Sequence, residues 1–302
     1  MRMLIIRPGA IGDTLLTFPI IQSLRTRYAA RHITFVGNAA VLALAQSSGL
    51  VEETFDYEDT RWGKLFLESE KVVIRQDAVL ERSDVAIAWL RDPDGIVERN
   101  LCLYMHDSAM KEVIVAPGRP AAGERIHIVE HLARTAGLPR SPLLSWSLFP
   151  PPSAQQSAAY FAIHPGSGGV QKCWPIAHFA SVITALWQRS IPVLLLAGPA
   201  DHQRLADLRS HLATPPHPDM LNTLIDAPLL TVARQLRQCR GYLGNDSGIT
   251  HLAAMLGIPT TVLFGPSDPV VWRPLGPQVN ILHEPNLEQL PVNVVLQTIS
   301  NF

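Results

Sequence analysis

The densest set of chemically capable side chains lies in GNDSGITHLAAMLGIP, residues 244–259. There Asp246, Ser247, Gly248 and His251 stand at the head of an alanine- and leucine-rich run. If that run is a helix, its first amides lack intrahelical partners and its dipole places partial positive charge at the same end. Together these attract a negative ligand. Gly248 lets such a ligand approach the backbone, and His251 can reach the same turn. Asp246 would repel a diphosphate unless backbone amides or a ribose hydroxyl engage its carboxylate, so its expected task is to shape the loop. The plain alternative is that Asp246 or Ser247 only caps the helix and that His251 is structural.

Four more polar, glycine-bearing junctions follow apolar runs. HPGSGGVQKCWP (164–175) sets Ser167 and Gly168 among flexible glycines and adds Lys172. Amides, a hydroxyl and an ammonium suit phosphate oxygens, although a solvated surface loop has the same composition. Trp174 and Pro175 read as packing and helix-start residues. In RPGAIGD (7–13), Gly9 and Gly12 permit a tight turn, and Asp13 falls near the next helix start, where the simplest role is an N-cap. Asp201 in LLLAGPADH (194–202) follows an apolar run; such an acid either accepts from a ribose hydroxyl or caps a helix. LFGPSDP (263–269) is explained by turn chemistry.

Several chemistries are disfavoured. The 164–175 loop lacks the G-K-[ST] ending of an ATPase P-loop, and RPGAIGD lacks dinucleotide-site spacing. GNDSG is not the nucleophile elbow of a serine hydrolase. The eleven histidines form no H-x-x-x-H pair with a third ligand, so no metal is expected.

The elements that must carry these junctions alternate along the chain. MRMLIIR, HITFVGN and DVAIAWL (84–90) read as strands. TLLTFPIIQSLRTRY, AVLALAQSSG and IHIVEHLARTAGLP read as helices, the last stopped by Gly137 and Pro139. Residues 55–115 have the weakest pattern. A proline- and serine-rich stretch at 138–157 reads as a linker. Beyond it, strands in AYFAIHPG, IPVLLLAG, LNTLIDA, GYLGN and PTTVLFG alternate with helices in PIAHFASVITALWQRS, DHQRLADLRSHLA, PLLTVARQLRQC and SGITHLAAMLG. Such alternation predicts parallel sheets with right-handed crossovers. Two Rossmann-like domains are expected at 1–140 and 158–302, joined by a linker at 141–157, with a cleft between them.

Composition agrees with that class. The 302 residues suit two domains of about 150 each, and 47% hydrophobic against 17% charged residues describes a globular chain. A net charge of −1 argues against a general nucleic-acid binder. Cys102, Cys173 and Cys239 form neither a metal pattern nor a disulfide framework, which predicts a reducing compartment. Arg7 and Asp13 interrupt any signal-peptide core, and no run reaches the roughly 18 apolar residues of a membrane span. A cytoplasmic protein is expected, at most peripheral to the inner membrane face.

Three blocks together resemble glycosyltransferase family 9, the ADP-heptose–lipopolysaccharide heptosyltransferases: LIIRPGAIGDTLLTFPIIQSLR, HPGSGGVQKCWPIAHFA and GNDSGITHLAAMLGIPTTVLFGPSDP. The resemblance implies a GT-B architecture and an inverting transfer from a nucleotide-sugar donor, here ADP-heptose, to a glycan or glycolipid acceptor, without a metal or other cofactor. By similarity Asp13 matches the general base, with Gly12 beside it on the acceptor side. Lys172 matches the phosphate-binding lysine, and Ser167 and Gly168 fall beside it. Asp246, Ser247, Gly248 and His251 fall on the diphosphate motif, and Asp201 is carried as a donor contact. Two other functions fit the same scaffold. One is a sugar-nucleotide epimerase or hydrolase that turns over its substrate without an acceptor. The other is a nucleotide-sugar-binding protein with no catalysis.

Overall fold

The computed structural model describes residues 1–68, 77–105, 111–139, 146–149 and 160–300. The chain divides into two compact units, Met1–Pro142 and Leu143–Phe302. Except for 146–149, the expected linker at 141–157 lies outside the described residues.

In the first unit, strands β1 (Arg2–Ile6), β2 (His32–Gly37), β3 (Glu53–Asp56), β4 (Val85–Trp89) and β5 (Glu112–Ala116) form one parallel sheet in the order β3-β2-β1-β4-β5. Helices α1 (Ile11–Leu15), α2 (Phe18–Arg27), α3 (Ala39–Ser47), α4 (Ala78–Glu81), α5 (Ile96–Tyr104) and α6 (Ile128–Thr135) connect and cover it. The single helix expected over TLLTFPIIQSLRTRY is two helices. Pro19 has no N–H to donate to Leu15 and its ring collides with that carbonyl, so α1 stops and α2 starts with proline in its first turn. The weakly patterned 55–115 region holds a 3-10 turn at Thr60–Phe66, then α4, β4, α5 and β5. Leu4, Ile6, Trp62, Ala88 and Leu101 pack into the core on one side of this sheet.

The second unit has β6 (Tyr160–His164), β7 (Val193–Ala197), β8 (Leu221–Ile225), β9 (Cys239–Asn245), β10 (Thr260–Phe264) and β11 (Val279–His283), all parallel, in the order β11-β10-β9-β6-β7-β8. Its helices are α7 (Ile176–Gln188), α8 (His202–His211), α9 (Leu229–Leu236), α10 (Gly248–Met255), α11 (Pro269–Trp272) and α12 (Val292–Ile299). Trp174, Phe179, Leu195, Leu243 and Val295 are buried in its core.

Both sheets reverse strand order beside their first strand, between β1 and β4 and between β6 and β9. Loops leaving the carboxyl ends of strands diverge at such a reversal and leave a crevice where ligands bind in open α/β sheets. Arg7 to Asp13 leave β1, residues 165–174 leave β6, and Asp246 to His251 leave β9. Among the described residues no helix is long and apolar enough to cross a membrane.

Candidate active-site residues

His164 ends β6 and is in register with Gly244 on β9, so the two loops start side by side. A fully buried amide, Asn245, ties them together. Its Nδ2 donates to the carbonyls of Pro165 (2.7 Å) and Gly166 (3.3 Å), and its Oδ1 accepts from the Trp174 amide at 3.0 Å. One side chain thus fixes both ends of the 165–174 loop. The Ser167 hydroxyl adds a third tie, donating to the Asp246 carbonyl at 2.7 Å.

Lys172 lies in the 3-10 turn Val170–Lys172, and its Nζ donates to Asp246 Oδ2 at 2.8 Å. The other Asp246 oxygen is 3.9 Å from His251 Nε2. Asp246 is therefore buried between two basic side chains, while Lys172 stays about a third exposed. This resolves which residue caps α10: Ser247 does, accepting from the Thr250 amide at 3.4 Å, and Asp246 faces Lys172. Gly248 occupies the first helical position behind that cap. Gly168 is exposed at the loop tip, with open space around it.

Asp201 is turned inward. It is buried, accepts from His164 Nε2 at 3.0 Å and from the Gly198 amide at 2.8 Å, and makes no side-chain cap to α8. Its carboxyl group fills the space that a side chain at Gly166 would need. Burial pushes the Asp201 carboxyl up, but the His164 hydrogen bond and charge, the Gly198 amide and Arg204 outweigh it and hold the group below the ordinary carboxylate range. Structure thus brings Ser167, Lys172, Asp246, Ser247, Gly248 and His251 to one place, with Asp201 behind them as a support.

In the first unit, Asp13 is not the N-cap residue. It sits at the third position of α1, after Ala10 as cap, and its Oδ2 reaches back to the Ala10 amide at 3.2 Å. Arg7 Nη2 lies 3.3 Å from Oδ1, and Arg119 Nη2 lies 3.5 Å from Oδ2. Arg7 is buried under the turn at Gly118, where a Cβ would overlap its guanidinium. Burial pulls Arg7 below its ordinary value, Asp13 pushes it back up and Arg119 adds to the lowering. Gly9 is required twice over: its φ is +135°, and a Cβ there would stand 2.9 Å from Asp13 Cβ. Gly12 is the second residue of α1, and its carbonyl accepts from Leu16.

Known proteins can now be set beside this geometry. The sequence profile of Glycosyltransferase family 9 (heptosyltransferase) matches residues 142–299, over half of the 302 residues. The chain belongs to glycosyltransferase family 9. Lipopolysaccharide heptosyltransferase 3 of Escherichia coli is 32% identical over 118 residues, which are 38% of this chain and 34% of that relative. The match therefore spans about a third of the relative's length. The solved E. coli ADP-heptose lps heptosyltransferase II superposes with a TM-score of 0.76 at 20% identity, covering 100% of this chain and 98% of that one. E. coli heptosyltransferase WaaC with ADP gives 0.72 at 20%, covering 100% and 99%. The fold is GT-B-like, with two parallel-sheet domains.

The family 9 profile takes in Ser167, Gly168, Lys172, Asp201 and residues 246–251, whereas Gly12 and Asp13 precede the matched range. Three buried polar residues escaped the sequence reading: His164, Asn245 and Thr250. His164 and Asn245 close apolar strands, and a polar side chain at that point is the signal that marks them, whereas Thr250 stands inside the first turn of α10. Nothing in the sequence pairs them with Asp201 or Pro165. Among the described residues no three His, Cys, Asp or Glu side chains gather as a metal site, and the three cysteines are unbridged.

Proposed function

We propose that this family 9 protein is an inverting glycosyltransferase. It moves heptose from ADP-heptose to a hydroxyl of a lipopolysaccharide-core or related bacterial envelope glycan. The observation that carries this is the convergence of Lys172, Ser167, Ser247 and the free amides of α10 at the β6/β9 reversal. Such a cradle suits a diphosphate. ADP bound to the solved E. coli neighbour supports an adenine nucleotide here.

In the reaction the acceptor oxygen bonds to the anomeric carbon as the carbon–oxygen bond to the β-phosphate breaks, and that electron pair goes to the phosphate oxygen. Lys172 and the α10 amides stabilise the charge that develops there, with no metal in the scheme. Asp13 is the proposed general base, taking the acceptor proton. The second unit binds the donor and the first the acceptor. A glycolipid acceptor would bring a cytoplasmic protein to the inner face of the inner membrane.

A thermal-shift panel of ADP, UDP, GDP and CMP compounds tests the donor assignment. Selective stabilisation by ADP and ADP-heptose is expected, and indifference to all four would refute it. Transfer assays then test the base: Asp13→Asn should lower transfer by about 100-fold or more while ADP binding persists. Normal transfer by that variant would remove Asp13 from the role.

A further inference from the structure

Behind the cradle, two side chains that the scheme above does not use, Asp201 and His164, form a chain that ends on Ser247 of the cradle. Asp201 Oδ2 accepts from His164 Nε2 at 3.0 Å, and His164 Nδ1 meets Ser247 Oγ at 3.3 Å. His164 and Asp201 are buried, and Ser247 is partly buried at the head of α10. Because the carboxylate can only accept, Nε2 carries a proton, and the state of Nδ1 decides what Ser247 does with its own.

The surrounding hydrogen bonds narrow the choices. The Thr250 hydroxyl donates to the Asn245 carbonyl at 2.5 Å, and the Tyr242 phenol, pushed up by burial, lies 2.9 Å from Thr250 Oγ1 as its donor. Ser247 Oγ accepts from the Thr250 amide. With Nδ1 bare, the Ser247 proton is drawn inward to the imidazole. With Nδ1 protonated, Ser247 Oγ accepts two inward N–H groups. Its proton is left to choose between Thr250 Oγ1, 3.1 Å away, and an acceptor at the head of α10; a charged phosphate oxygen is the stronger acceptor of the two. Imidazolium charge then lies one hydroxyl behind that position, balanced by Asp201.

We infer that His164 and Asp201 are positioning residues that aim the Ser247 proton at the terminal oxygens of the leaving diphosphate, with His164 taking a second proton from water as that charge appears. This rests on the diphosphate assignment above. It makes the site answer to the charge on the β-phosphate, which is greater in ADP than in the sugar diester. The pair therefore discriminates between product-like and substrate-like charge, a difference realised in the transition state.

Other charges face this cluster. Asp246, paired with Lys172, and His251 flank it from the α10 side; Arg204 acts on Asp201 from α8. Burial, with Asp201 adding to it, raises the Cys173 thiol and the Tyr242 phenol. His251, beside Asp246 in the adjoining loop, serves as the control.

The test is calorimetry of ADP binding at about pH 8 in two buffers of different ionisation enthalpy. Wild type is expected to take up a fraction of a proton per ADP. His164→Asn should abolish the uptake and weaken ADP by about tenfold, while weakening ADP-heptose by no more than about twofold. Asp201→Asn should reduce the uptake, and His251→Asn should retain it. Absence of uptake in wild type, which needs no variant to fold, overturns the inference, as does uptake persisting in His164→Asn. Failure of wild type to bind ADP at all overturns the diphosphate assignment as well, so the two failures are told apart.

Discussion

Substituting Gly166 by alanine should destabilise the second unit, and Asp201 should be the reason. The Gly166 backbone has no left-handed φ, so an alanine there meets a steric problem alone. Its methyl would fall inside the Asp201 carboxyl group, and even the farther oxygen, Oδ2, would be 2.8 Å away. That carboxylate is buried and bonded to His164 and the Gly198 amide, so moving it breaks hydrogen bonds to a charged group. Such bonds contribute about 1.5–3 kcal/mol, and overpacking costs about 1–3 kcal/mol. Since displacement relieves the overpacking by giving up the bonds, the two do not add, and about 3 kcal/mol is the expected cost. For a domain of this size that lowers Tm by about 6–12 °C. Asp201→Ala should cost a similar amount by leaving His164 Nε2–H buried without its acceptor, yet it removes all three atoms nearest the new methyl. In that background Gly166→Ala should cost under about 1 kcal/mol, a coupling of roughly 2 kcal/mol between the sites. Urea unfolding of the four proteins, followed by tryptophan fluorescence, measures it; Trp174 and Trp187 are both buried in this unit. Additivity within about 0.5 kcal/mol would refute the steric account.

Three further outcomes are expected. Lys172→Ala should raise the Kd for ADP by about 10- to 100-fold, the worth of one charge-assisted contact; an unchanged Kd by calorimetry would exclude Lys172 from the site. Because the folded Asp201 carboxyl lies below its ordinary value, its stabilising effect is complete above the unfolded value of about 3.9 and is lost as pH falls through the folded one. Acid titration of stability should therefore show a loss below about pH 4 that Asp201→Asn lacks. Burial pushes the Cys239 thiol up to about 12 and Cys173 upward as well, while Cys102 is exposed. An aromatic disulfide reagent at neutral pH should label Cys102 in the native protein and reach Cys239 only on unfolding, and native labelling of Cys239 would contradict its burial.

The interior strands and the motif loops were legible because each carries a strong local signal. β1, β4, β6, β7, β9 and β10 are almost wholly buried, and strands covered on both faces read as continuous apolar runs. The edge strands β3 and β5 are half-buried and lie in or beside the 55–115 stretch whose pattern is weakest, although the Val-Ile-Val of EVIVA has clear strand propensity. The split between α1 and α2 was announced by Pro19 yet hidden by an apolar period that runs straight through it. Asp246 and Lys172 were visible individually, but 74 residues separate them and no local pattern pairs them. Asn245 and His164 were the hardest to see, since their roles exist only when β6 and β9 lie side by side.

That pairing removes a conflict the sequence poses at Asp246, an acid at the mouth of a site for anions. A free lysine near a diphosphate must lose about 2 kcal/mol of rotamer freedom to engage it. Here the Asp246 carboxylate, held between Lys172 and His251, restrains the ammonium before any ligand arrives. A diphosphate then meets an ammonium already positioned, with two of its three N–H groups still unassigned to Asp246. The acid lowers the net charge of the cradle, which weakens attraction for anions in general. It also confines the remaining attraction to one direction, where Ser167, Ser247 and the α10 amides can add theirs. Asp246 thus exchanges strength for geometry, and under the proposed transfer, which releases a diphosphate, the site gains from that exchange.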